Sequence, residues 1–268
     1  MGWIRGSTPP WICGACLAAT LGIAASLPAA AASSPPRDRY LAALSRAREL
    51  TDHGKFEAAL RKLLWYWRAT EYEPAQSEVR DSFAVDQWVD LAGKYPKAKA
   101  TLLEIRDADQ RQIAANGAFF DIFADFEAIN AALDDNDRTY LEFKYVESRY
   151  PTKAVQYFGM AETALLAKKD YATCRRYIGD PGDELNDMAK ARQREIALPD
   201  RPEFAEHKED QLSTADRIFE DHARQLILVL VGTGERDQAA SVAAQALTVL
   251  DTPKLRSAVE DAAAETAR

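Results

Sequence analysis

Few side chains in this chain have the type and spacing that catalysis or metal binding requires. The three histidines are His53, His207 and His222. Glu203, Glu206 and His207 share part of a helical face, but no second histidine stands four residues away. The two-histidine arrangement of a zinc peptidase is therefore missing. The acidic run Asp134-Asp135-Asn136-Asp137 suggests calcium, yet it lacks the central glycine and distal bidentate glutamate of a calcium loop. It reads instead as a turn between two helices. Gly232-Thr233-Gly234 closes an apolar helical run and follows no strand, which argues against a nucleotide-phosphate loop. Cys174 has no histidine beside it. Arg175 and Arg176 would lower a thiol pKa, but Cys174 occupies a small-residue position between two helices, where packing is the expected role. No catalytic set, metal ligands or cofactor loop emerges, and the chain reads as a non-enzyme without a cofactor.

Two further cysteines, Cys13 and Cys16, belong to a segment of different character. Arg5 precedes an apolar run over 11–27, Ala29 to Ala32 offer Ala-x-Ala cleavage sites, and Ser33-Ser34-Pro35-Pro36 follows. That order is the layout of a secretory signal peptide. A retained anchor is the rival, since the run nears the length of a span, but the alanine run and Ser-Pro flank favour cleavage. Residues 1–32 thus read as a leader and 33–268 as one exported domain, periplasmic or secreted. Loss of the leader leaves Cys174 alone, so a disulfide-stapled domain is excluded in favour of a core-stabilised one. The net charge of −8 becomes −9 once Arg5 is removed, with 33 basic against 42 acidic residues. Acid spread along the chain disfavours nucleic acid and anionic lipid as partners. After the leader no second long apolar segment follows, and no membrane span is expected.

The elements that must position any site are helices. Apolar residues recur with helical spacing from about Asp38 onward, and strand-like alternation is not found. The pattern predicts helices near 37–53, 55–70, 76–93, 96–115, 118–133, 137–149, 152–168, 171–178, 183–197, 203–211, 214–231, 235–250 and 253–266. Pro96, Pro151 and Pro253 stand in first turns, where a missing N–H is harmless, and Asn116-Gly117 ends a helix. Ser213 with Asp216 resembles a capping box. Lys94-Tyr95-Pro96 is echoed by Arg149-Tyr150-Pro151. A turn also recurs: Gly54-Lys55-Phe56, Asn136-Asp137-Arg138, Lys169-Asp170-Tyr171 and Gly234-Glu235-Arg236, each followed by a small or apolar residue. The middle two are 33 positions apart, and the last is 65 further on. Periods of that size are a signature of stacked helical hairpins.

With small residues near the helix crossings and a turn of this kind, the chain resembles a tetratricopeptide-repeat protein. The residues that carry the resemblance are Ala43, Ala47, Gly54 and Ala59; Phe158, Ala161, Tyr171 and Cys174; and Ala223, Gly234, Ala239 and Ala243. The Trp-x-x-Leu-Gly opening is absent, the closing proline is displaced, and 74–116 fits no unit. The resemblance implies an all-α fold, a right-handed α-solenoid of antiparallel helical hairpins, with a concave groove. Transferring the groove positions gives Arg48 and Asp52, Phe126 and Asn130, Gln156 and Thr163, and Arg224 with Leu228. This set lacks the Lys and Asn cluster that clamps a terminal carboxylate in some members of the family. It suits an internal peptide segment or a folded partner.

The aromatic run Trp65-Tyr66-Trp67 is the remaining feature. Phe56, Leu60, Leu63, Leu64 and Trp67 share one helical face, while Trp65 and Tyr66 point away from it. The end of this helix is therefore sandwiched, with Trp88 as a natural neighbour, or it shows an aromatic patch; packing is the expectation. The function that follows is an exported scaffold binding a protein or peptide partner, of unknown identity. The alternative is a structural subunit of a cell-envelope assembly that docks through the aromatic patch. The leader predicts a mature N-terminus near Ser33. N-terminal sequencing of protein from the envelope fraction should find it there, and an intact Met1 in a cytosolic fraction would refute it.

Overall fold

Helical periodicity without alternation produces helices alone. In the computed structural model, which describes residues 37–197 and 208–267, no strand is present among those residues. The leader, Glu203, Glu206 and His207 lie outside them. The helices are α1 (Arg37–Asp52), α2 (Phe56–Ala69), a short α3 (Ser77–Val79), α4 (Val85–Lys94), α5 (Pro96–Asn116), α6 (Phe120–Ala132) and α7 (Asn136–Arg149). There follow α8 (Pro151–Ala167), α9 (Tyr171–Tyr177), α10 (Pro181–Ala197), α11 (Lys208–Gly232), α12 (Arg236–Val249) and α13 (Pro253–Thr266). A 3₁₀ turn (Pro74–Gln76) leads into α3, and a π-helical turn (Arg80–Ala84) joins α3 to α4. α11 runs unbroken through Ser213, where the sequence suggested a helix start, because Ala215 and Phe219 carry the buried stripe on from there.

Four interhelical turns share one hydrogen-bond scheme, between α1 and α2, α6 and α7, α8 and α9, and α11 and α12. In each, one residue adopts left-handed φ: Gly54, Asp134, Lys169 and Gly234, at 70°, 56°, 55° and 85°. The N–H after it reaches back five residues: Lys55 to Leu50, Asp135 to Asn130, Asp170 to Leu165, and Glu235 to Leu230, at 2.7–2.9 Å. That is the Schellman arrangement, which satisfies the carbonyls left over at a helix end. In the second turn it falls two residues earlier than the sequence alignment placed it, on Asp134. Five residues after the left-handed position stand Ala59, Thr139, Cys174 and Ala239, all fully buried. Four residues before it stand Leu50, Asn130, Leu165 and Leu230. Thus a large residue and a small one recur at the same two positions of each turn, and in one hairpin the two are polar and joined: the Asn130 amide donates to Thr139 Oγ1 at 3.2 Å.

Consecutive helices pack on one another: α1 on α2, α4 on α5, α5 on α6, α7 on α8, α10 on α11 and α11 on α12. Contacts to the next helix but one, α2 to α4, α6 to α8 and α11 to α13, extend the packing along the chain. Two apolar clusters result. The first gathers Tyr40, Leu44, Leu60, Leu63, Tyr66, Trp67, Trp88, Leu91 and Leu102. The second runs from Ile113 through Phe123, Phe126, Phe143 and Tyr157 to Phe219, Leu230 and Ala262. α6 serves both, sending Ala128 and Ile129 to the first and Phe123 and Phe126 to the second. Tyr66 and Trp67 are buried, Trp67 meeting Trp88 edge-on at 5.7 Å, while Trp65 remains 41% exposed beside Tyr40. Trp88 Nε1 donates to the Ala98 carbonyl at 3.1 Å, so its polar atom is satisfied in the core.

The Asn130 Oδ1 atom has no partner, which makes the polar pair a weak point. Replacing it by the apolar kind used in the other three turns, Asn130→Leu with Thr139→Ala, should raise stability by about 1–2 kcal/mol. Thr139→Ala alone strands the amide and should cost about 1–3 kcal/mol. Urea unfolding followed by circular dichroism checks both signs.

Candidate functional site

The segment that fits no repeat, 74–116, supplies Arg80 and the α5 wall of a cleft whose other walls come from α2 and α6. The π turn inserts an extra residue into the helix, a distortion frequent at functional sites, and Arg80 within it is buried. Its guanidinium forks onto Asp125 of α6, Nε to Oδ1 at 2.6 Å and Nη2 to Oδ2 at 2.7 Å. Nη1 donates to the Trp67 carbonyl and, at 3.1 Å, to Thr70 Oγ1. The guanidinium also lies 3.7 Å from the centroid of the Trp67 ring. Arg80 thereby places a positive charge on the exposed carbonyls at the C-terminus of α2, where the helix dipole favours it. Nearby, the buried Tyr66 hydroxyl donates to Gln76 at 3.4 Å, and burial pushes its pKa up to about 12.

On one side of the Arg80–Asp125 pair opens a cleft of about 490 Å³ between the end of α2, α5 and the start of α6. Leu64, Trp67, Ile105 and Ile122 form its apolar walls, and the exposed Tyr72 and Phe119 stand at its edge. Asp109 on α5 lines it as well. On the other side lies a smaller cavity of about 290 Å³, lined among others by Asp81, Glu127 and Met160.

Among the carboxyls lining the two cavities that the Arg80 guanidinium also lines, burial disfavours the charged forms of four. It pushes Asp109 up to about 8, with Asp125's charge adding to the effect. Asp81 rises to about 7 for the same two reasons, and Glu127 to about 7 by burial. Burial also pushes Asp125 up, and the Arg80 fork pulls against it. Asp109 is only 8% exposed, and its Oδ2 has no hydrogen-bond partner. No group of three metal-ligating side chains is found among the described residues. The cleft can desolvate an apolar group and present it with one unpaired, proton-exchanging carboxyl.

The groove residues expected from the repeat pattern are not brought together, and none lines this cleft. Arg48 and Asp52 on α1, and Gln156 and Thr163 on α8, are exposed. Arg224 and Leu228 are half-buried in a separate depression of about 210 Å³. Phe126 and Asn130 are fully buried, a correction to the expected groove. α6 is packed from both sides by the two clusters, so those positions face neighbours and not solvent. Cys174 is fully buried, and burial pushes its thiol up to about 12, the opposite of activation by its arginines. His53 is exposed, its Nδ1 2.7 Å from the Glu49 carbonyl. His222 lies 3.7 Å from Glu184, and burial lowers its pKa.

The missed residues left a signal. Asp109 shares the buried stripe Leu102, Arg106, Ile113 on α5, and Asp125 sits between Phe123 and Phe126. Charges at core positions of a helix are rare unless paired or functional.

The raised carboxyls fix a pH dependence. The folded chain holds protons on Asp81, Asp109 and Glu127 that the unfolded chain releases near pH 4. The folded state therefore binds more protons from there up to about pH 7–8, and stability falls as pH rises through that window. The melting temperature should drop by several degrees between about pH 5.5 and about pH 8.5, and Asp109→Asn should flatten part of the drop. A melting temperature that rises over this range would contradict the assignment.

Comparison with family models, curated proteins and solved structures finds no match to this chain, so the site is read from its own geometry.

Proposed function

We propose that the chain is an exported helical-repeat scaffold, a right-handed solenoid of tetratricopeptide-like hairpins, that binds a segment of a protein partner. Four turns with one hydrogen-bond scheme support the repeat architecture. The observation that carries the binding role is the cleft between α2, α5 and α6, with apolar walls and a polar rim. Mixed linings of this kind hold a few anchor side chains, and such anchors supply most of the affinity of an interface. The site moves from the repeat's concave face to the irregular segment. No serine, cysteine or histidine is among the residues that line the cleft, so a binding role fits better than a catalytic one. The alternative, a subunit of an envelope assembly docking through aromatics, is favoured only by the half-exposed Trp65 with its neighbour Tyr40.

The test is capture of partner from envelope extract, with cross-links mapped by mass spectrometry and helicity checked for every variant. Ile122→Arg and the pair Tyr72→Ala with Phe119→Ala should weaken capture by at least about tenfold. Arg48→Ala with Asp52→Ala should leave it unchanged. Loss confined to Trp65→Ala would favour the assembly subunit, and loss confined to the α1 pair would return the site to the repeat's groove.

A further inference from the structure

We propose that the cleft between α2, α5 and α6 is a binding site for an alkylguanidinium group, the side chain of an arginine on the partner, with Asp109 as its counter-ion. The proposal rests on the partner-binding reading and names the chemistry that the cleft takes. The argument begins with an acceptor left over. Asp109 is enclosed, and its Oδ2 atom has no donor; a buried acceptor without a partner is costly to keep. Arg80 cannot serve it, because its fork is spent on Asp125 and its other nitrogen on Trp67 and Thr70. Asp109 lines the cleft, so a ligand held there can bring the donors.

Charge and shape then narrow the class. Glu71, Glu104 and Asp121 stand around the cleft against Arg68, so the field at its mouth attracts cations and opposes anions. An apolar ligand would leave Asp109 unpaired. A guanidinium is planar, is more weakly hydrated than an ammonium, and offers a donor fork that matches a carboxylate. Its alkyl stem suits Leu64, Ile105 and Ile122, and its flat face suits the Tyr72 and Phe119 rings at the edge.

Protonation couples to binding. Around Asp109 the cleft is lined by Asp125 and Asp121 from α6, Arg80 from the π turn, Arg68 from the end of α2 and Glu71 from the turn beyond it, with Glu104 on its own helix. Held near 8 by burial, Asp109 carries a proton in the empty cleft at neutral pH and releases it when a cation enters. Below that value, affinity should fall about tenfold per pH unit.

The experiment is calorimetric titration of the full chain with butylguanidinium and with its neutral isostere butylurea. At about pH 9 the guanidinium should bind saturably and at least tenfold more tightly than the urea, and at about pH 6 roughly a hundredfold more weakly than at the higher pH. Near pH 7, buffers of different ionisation enthalpy should report release of about one proton by the unmodified protein. Asp109→Asn, with helicity retained, should weaken binding at the higher pH and abolish its pH dependence. A capped arginine peptide should bind at least as tightly as butylguanidinium. No saturable binding at the higher pH, equal binding of butylurea, or no proton release overturns the guanidinium site. Rejection of the peptide while butylguanidinium binds overturns the partner's arginine as its source. Absence of butylguanidinium binding with cleft variants still losing the partner sinks this assignment alone. Binding of the probe with capture unaffected by those variants keeps the guanidinium site and removes the scaffold's docking place.

Discussion

The arrangement of the site depends on one buried cation. Arg80 is buried, and each of its contacts comes from a different part of the chain: Asp125 from α6, the Trp67 carbonyl and ring from α2, and Thr70 from the turn beyond. These contacts bridge up to 45 positions in sequence. They fasten the end of α2, the π turn and α6 to one point. Removing either member of such a pair leaves a lone buried charge, worth about 3–5 kcal/mol. The knot sets the end of α2 against α6, while direct packing of α5 on α6 sets the third wall of the cleft.

The same knot leaves a surplus of acid. One guanidinium serves a neighbourhood with Asp81, Asp109, Asp125 and Glu127, and it satisfies only Asp125 directly. Burial raises the remaining carboxyls to about 7–8 and favours their protonated forms, a cost that a purely structural core would avoid by placing apolar residues there. Elsewhere buried charges find partners: Arg106 meets Asp107 and Asp135, and Gln110 meets one oxygen of Glu142.

The helices were legible in the sequence because apolar spacing, first-turn prolines and the Asn116-Gly117 stop all act locally. Trp67 went to the core as its spacing implied, and Tyr66, which the spacing set away from that face, is buried as well. The site was not legible, and the reason is physical. The groove positions were transferred on the assumption that each hairpin leaves one face free, and α6 leaves none at Phe126 and Asn130. Arg80, Asp109 and Asp125 read singly as charges on helices, and only tertiary packing turns them inward. A π turn has no signature that periodicity detects, since it shifts the helical phase by a single residue. The slip from Asn136 to Asp134 in the second turn has a similar origin: a run of acidic and amide residues offers several positions able to take left-handed φ, and only the hydrogen bonds choose among them.

The polar pair in that second turn bears on how the chain finds its own partners while folding. Four hairpins closing by one scheme present four nearly interchangeable halves, and repeat proteins misassemble by exchanging such halves. Leu50, Leu165 and Leu230 would each accept Ala59, Cys174 or Ala239 with little penalty. Asn130 would not: set against an alanine its amide has no oxygen to reach, and a leucine brought against Thr139 buries an unpaired hydroxyl. The hairpin of α6 and α7 is thus marked as self-recognising, and it lies between the first hairpin and the two that follow. A weak hydrogen bond at this place acts as an address, keeping the order of the halves correct where apolar packing alone could not tell them apart.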